Sequence, residues 1–161
     1  MDAFVIDVNV ALTANGKAIH ASDLCQLLCI KKLRSIKNND NAVVCIDLNG
    51  QVFKEYRSNL SMSGSPGVGD EFLYWLYQNI GNSNRCELVS IHECIHKGFV
   101  EFPDDPSLAN FDMDDRKYVA VAVNSIHNPH IINAVDSDWY DFQVAFARNN
   151  IIIEQLCPDC L

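Results

Sequence analysis

Three short apolar runs each end in an aspartate: Val5-Ile6-Asp7, Val44-Cys45-Ile46-Asp47 and Ala134-Val135-Asp136. If these runs are parallel strands, the three carboxylates gather at one sheet edge, where open α/β sheets bind their ligands. Asp112, Asp114 and Asp115 stand at the start of a small-residue helix, whose dipole stabilises anions. So many carboxylates in one cleft repel each other unless a hard cation compensates. Mg²⁺ and Mn²⁺ accept such oxygen ligands and keep waters for a substrate phosphate. Any one of these aspartates also fits an ordinary N-cap. Their joint placement is what points to a metal.

Two other spacings carry chemistry. His92-Glu93-Cys94-Ile95-His96 matches the H-E-x-x-H pattern of zinc proteases. That chemistry needs both histidines on one helical face. The surroundings read as strand and irregular extension closed by Pro103, and no third ligand follows at a protease-like spacing. The segment is therefore expected not to be a catalytic zinc site. Cys157-Pro158-Asp159-Cys160 is a CxxC pair for which His92, Cys94 and His96 are candidate zinc partners. A redox pair would open a helix, and only Leu161 follows, so a reduced tail is expected. The glycines of Gly64-Ser65-Pro66-Gly67-Val68-Gly69 follow a helix and lack the Lys-Ser/Thr of a phosphate loop. A non-catalytic nucleotide-binding or interaction domain on the same sheet is the alternative to an enzyme, with the acids as caps.

The 161 residues suit a single domain, 1–161, with a core that needs no disulfide or metal scaffold. A hydrophobic share of 48% with 20% charged residues excludes a disordered or fibrous chain. No apolar run approaches the roughly 18 residues of a membrane span. Met1-Asp2-Ala3-Phe4 lacks the basic region of a signal peptide. The 7 cysteines are odd in number and scattered, so seven free thiols and a cytoplasmic location are expected. The net charge of -9 alone opposes a phosphate-neutralising binder. If about six acids converge on cations, however, the remainder carries only about -3. Lys31, Lys32, Arg34 and Lys37 read as a solvated helix face, and Phe72, Tyr74, Trp75 and Tyr77 as core or interface rather than a base-stacking platform.

The elements that must position these groups alternate along the chain. Strands are expected over Ala3–Asp7, Ala42–Asp47, Cys86–Ile91, His130–Val135 and Ile151–Leu156. Helices are expected over His20–Lys37, with Asp23 and Gln26 as a capping box, and over Gln51–Leu60, Asp70–Ile80, Asp114–Ser125 and Ser137–Asn149. Phe72, Leu73, Leu76 and Tyr77 form one helix face. Asp47 is expected to cap the helix that follows it. The alternation predicts an α/β fold of three layers, a mostly parallel central sheet with helices on both faces.

On these elements the chain resembles the PIN-domain nucleases. Val5-Ile6-Asp7-Val8-Asn9 is similar to the family's opening strand, Val52-Phe53-Lys54-Glu55-Tyr56 to its acidic helix, and Asp112–Ala122 to its Asp followed by a small-residue helix. Ala134-Val135-Asp136-Ser137-Asp138-Trp139 resembles its late strand end, with Ala134 in place of Thr or Ser and Trp139 in place of Phe. The match runs over nearly the whole chain, in the family's order. The resemblance implies a metal site of Asp7, Glu55, Asp115 and Asp136, with Asp138 and Asp112 as close auxiliaries and Asn9 as a polar neighbour. It implies Mg²⁺ or Mn²⁺, phosphodiester hydrolysis, and an attacking water oriented by Glu55 or Asp115. The substrate it implies is nucleic acid, RNA ahead of DNA, as in the family's toxin and defence ribonucleases; whether an inhibitory, antitoxin-like protein partner exists stays open. Self-association and the number of metals stay open at this point, and no membrane role is implied.

Overall fold

The computed structural model describes residues 1–161. Its centre is a five-stranded, wholly parallel sheet of β1 (Asp2–Ile6), β2 (Ala42–Asp47), β3 (Cys86–Val89), β6 (His130–Asn133) and β7 (Ile153–Gln155). The spatial order is β3-β2-β1-β6-β7. Two short strands, β4 (Glu93–Cys94) and β5 (Gly98–Phe99), form a separate antiparallel hairpin. β2 is buried at every position, and its reading as an unbroken apolar run follows from cover on both faces.

Successive crossovers explain the layers. From β1 the chain steps to β2 and β3 on one side; from β6 it steps to β7 on the other. Right-handed connections then send helices to opposite faces. α1 (Val8–Ala14), α2 (Asp23–Asn38) and α4 (Val68–Asn79) pack on one another, with α3 (Gln51–Asn59) beside β2. α5 (Arg116–Asn124) lies across β1, β2 and β6, while α6 (Ser137–Asp141) and α7 (Gln143–Arg148) cover β7. The three-layer α/β expectation holds. The strand order reverses between β1 and β6, so the crevice where such sheets bind ligands opens off Ile6 and Asn133.

One contiguous core of 43 buried hydrophobic residues fills both interfaces. Phe111, Trp139 and Phe146 pack in tilted and edge-to-face pairs at centroid distances of 4.8 to 5.7 Å in the second face. Arg116 is buried there too. Its guanidinium donates to the carbonyls of Phe111, Ala109 and Lys97 and lies 4.2 Å over the Phe102 ring. One cation thereby ties the loop before α5 to the β4–β5 hairpin. No helix is long and apolar enough to cross a membrane.

Several local expectations change. α1 follows β1 without a break, because Asp7 caps it by accepting from the Asn9 N–H at 2.8 Å. The long helix is capped by Ser22, whose hydroxyl accepts from the Cys25 N–H, and not by an Asp23–Gln26 box. The helix expected over Ser137–Asn149 breaks at Phe142 into α6 and α7. Tyr77 and Tyr74 are exposed, whereas Phe72, Leu73, Trp75 and Leu76 are core. Lys32 is held by Glu154 at 2.8 Å and sits over the Phe4 ring, so it leaves the solvated face; Lys31 and Arg34 remain on it.

The 7 cysteines are not all free: Cys25 of α2 and Cys157 of the tail form a disulfide across 132 residues of sequence. Sequence spacing could not reveal this, since only packing brings α2 to the chain that follows β7.

Candidate metal centre

Asp7 leaves β1 as the cap of α1, and Asp136 follows β6 as the cap of α6, accepting from the Asp138 N–H at 2.9 Å. Asp115 closes the short 3₁₀ turn Met113–Asp115 before α5 and caps nothing with its side chain. These three come from three segments to the crevice between β1 and β6. One carboxylate oxygen from each lies within 4.8 Å of the other two. Asp7 is 4% exposed, and the other two are half-buried. None of the three is ion-paired to a Lys, Arg or His.

Electrostatics register the crowding. Burial pushes the Asp7 carboxyl up to about 6, against the hydrogen bonds from Asn9 and Trp139, with the charges of Glu55 and Asp136 adding to the rise. Burial pushes Asp115 up to about 8, followed by the charges of Asp7, Asp136 and Asp112. Asp138 is raised by burial and by its neighbour Asp136. Desolvation and like charge both disfavour the ionised forms in the metal-free fold. A divalent cation with oxygen preference would reverse that, so the donor set fits Mg²⁺ or Mn²⁺.

Glu55 stands apart from the trio. It projects from α3, and its Oε2 accepts from the Tyr118 hydroxyl at 2.6 Å and pairs with Lys117 Nζ at 2.9 Å. Its charge is therefore balanced by the protein itself. Lys117 and Tyr118 are buried, not helix surface, and Lys117 also donates to the Asp114 carbonyl. A groove of about 520 Å³, lined by Gln51, Lys54, Glu55, Ser58, Glu93 and Lys117, opens beside this carboxylate. Asp112 is exposed and caps the 3₁₀ turn through the Asp114 N–H at 3.0 Å. Asp47 accepts from the backbone N–H groups of Gln51 and Val52, both at 2.8 Å, which is the capping role expected of it.

Several residues that set this geometry were not singled out by the sequence, or not for this role. Trp139 Nε1 donates to Asp7 Oδ2 at 2.8 Å, a bond that a Phe there would lack. Asn133, fully buried at the end of β6, is a hub. Its Nδ2 donates to the Asp136 carbonyl and to Gln155 Oε1, and its Oδ1 accepts from Asn9 Nδ2 and the Asp136 N–H. Asn9 Oδ1 in turn accepts from the Ala134 N–H. This network fixes the turn bearing Asp136 without a hydroxyl at position 134. A polar residue ending an apolar strand was the available signal for Asn133.

The HECIH segment lies on the β4–β5 hairpin, not on a helix. His92 Nδ1 meets Glu101 Oε1 at 2.5 Å, while His96 is exposed. Neither histidine belongs to a cluster of potential metal ligands. The candidate partners His92, Cys94 and His96 do not join Cys157; Cys25 and Cys29 do.

No protein-family model, curated protein or solved structure matches this chain.

Proposed function

We propose that this protein is a Mg²⁺- or Mn²⁺-dependent nuclease of the PIN-like kind, hydrolysing phosphodiester bonds in RNA. The observation that carries the reading is the meeting of Asp7, Asp115 and Asp136 at the topological switch point with no basic side chain paired to them. These three would hold the cation. A divalent ion bound there lowers the pKa of a coordinated water and neutralises charge on the phosphate. The Asn9 N–H and Trp139 hold the Asp7 carboxylate, the Asp138 N–H holds that of Asp136, and Asn133 holds the Asp136 backbone. Glu55 is anchored through Oε2 by Tyr118 and Lys117, leaving Oε1 free to orient the attacking water. Lys54 on the adjoining groove, with no acidic partner, offers positive charge to a nucleic-acid backbone, while Lys117 is held by Glu55.

A second reading, a non-catalytic module with the acids as caps, draws on Asp7 and Asp136, which do cap helices. Asp115 separates the two, since it caps nothing and yet sits in the cluster. The test is incubation with single-stranded RNA, structured RNA and DNA, with Mn²⁺ or EDTA. The nuclease reading expects Mn²⁺-dependent loss of RNA; no cleavage of any substrate with Mn²⁺ would favour the module.

A further inference from the structure

Four of the seven cysteines converge on one place, where α2 meets the chain after β7. Cys25 and Cys29 occupy successive turns of one face of α2, and both are buried. Cys157 precedes, and Cys160 ends, a one-turn 3₁₀ helix opened by Pro158. The sulfurs of Cys25, Cys29 and Cys157 all lie within 4.8 Å of one another. Cys160 Sγ lies 3.7 Å from the hydroxyl of Ser22, the cap of α2, one turn from Cys25. The remaining three, Cys45, Cys86 and Cys94, belong to strands β2, β3 and β4.

We propose that Cys25, Cys29, Cys157 and Cys160 form a tetrathiolate Zn²⁺ site, of which the Cys25–Cys157 disulfide is the oxidised, metal-free state. A helical C-x₃-C places two sulfurs on one side, and a C-x₂-C turn supplies the other two, the ligand number of a closed structural zinc. Tetrahedral Zn–S bonds of about 2.3 Å hold sulfurs roughly 3.8 Å apart, a spacing that side-chain rotation reaches from the present cluster. A disulfide alone uses two of the four sulfurs and leaves the placement of Cys29 and Cys160 unexplained. The first turn of a 16-residue helix also favours the net negative charge of four thiolates.

The conversion balances with a dithiol as reductant. Two electrons and two protons pass from the dithiol to Cys25 and Cys157, and the reductant leaves as its own disulfide. Zn²⁺ then binds four thiols and releases four protons. Either state clasps the segment after β7 to α2; only the zinc state needs Cys29 and Cys160.

The test is metal content after reduction with dithiothreitol and anaerobic desalting, beside cobalt substitution. Reduced wild type given excess Zn²⁺ before desalting is expected to keep one zinc per chain. Its cobalt form is expected to show thiolate-to-cobalt charge transfer and tetrahedral d–d bands, which distinguish sulfur ligation from cation binding at the aspartates. Cys160→Ser, at a half-buried position, and Cys29→Ser should each lose these bands while Cys25 and Cys157 still form their disulfide under oxidation. Oxidation of wild type with diamide should release the zinc. Absence of thiolate-bound cobalt in reduced wild type would overturn the proposal, as would wild-type cobalt spectra in Cys160→Ser.

Discussion

Replacing Asp7 with asparagine removes one negative charge from the acidic trio while keeping shape. Two opposing effects follow. Asp7 Oδ1 accepts from Asn9 and Oδ2 from Trp139. An asparagine can accept only one of these bonds, and the lost one costs about 1–2 kcal/mol at any pH. Against this, carboxylate oxygens within 4.8 Å repel by about 1–3 kcal/mol per pair at effective dielectrics between those of water and a protein surface. The repulsion operates only when Asp7 is ionised. Its carboxyl rises from 3.8 to about 6 in the fold. A raised folded value means that Asp7 favours the folded state most below the unfolded value, and that this contribution is lost as pH climbs through about 6. The shift corresponds to about 3 kcal/mol in all, of which roughly half disappears between pH 5 and pH 8. The variant has no such loss. Its melting temperature relative to wild type should therefore rise by about 3–6 °C from pH 5 to pH 8 in EDTA. Removing Asp7 also relieves Asp115, which adds to the rise. Mn²⁺ at pH 8 should raise the melting temperature of wild type and leave that of the variant nearly unchanged. Thermal melts at the two pH values, with EDTA or Mn²⁺, make the measurement. A difference between the two proteins that is flat with pH would refute the electrostatic argument, as would an equal Mn²⁺ response.

Trp139→Phe keeps most of the packing but deletes the donor to Asp7 Oδ2, so metal affinity by calorimetry should fall roughly 10–100-fold, with a stability loss of about 1–3 kcal/mol in denaturant melts. Unchanged Mn²⁺ affinity would show that this bond does not orient a ligand. The double variant His92→Ala, His96→Ala should retain nuclease activity within a few fold and show no lost peptidase activity, because these residues sit on an exposed hairpin. Peptidase activity in the parent that disappears in this variant, together with stoichiometric zinc, would reverse that assignment.

What the sequence made legible follows from how strongly each segment is over-determined. β2 was bounded correctly because a central parallel strand, covered on both faces, reads as one apolar run closed by Asp47. Asp7, Asp115 and Asp136 were legible because strand ends and a helix start share one edge of such a sheet. α1 was not, since Val8, Val10 and Thr13 are β-branched and continue β1 without a turn residue; the Asp7 cap and burial against α2 and α4 override that preference. The burial of Lys117 has no local signal, because lysine is seldom buried; Glu55 across the site and the Asp114 carbonyl together hold its ammonium. Trp139 on Asp7, Asn133 beneath Asp136, and Cys25 against Cys157 all depend on contacts between distant segments, which no local spacing encodes.

The nuclease reading rests on Asp115, the member of the trio with no capping duty, and it is tested most directly by RNA cleavage with Asp115→Asn. Wild type and variant, purified in parallel, are incubated with a labelled single-stranded RNA in Mn²⁺ and in EDTA. Wild type should cleave only with Mn²⁺, and the variant should be slower by orders of magnitude while remaining folded. A contaminating metal-independent ribonuclease would cleave equally in all four reactions. Cleavage by Asp115→Asn at the wild-type rate, or wild-type cleavage that persists in EDTA, would contradict the assignment.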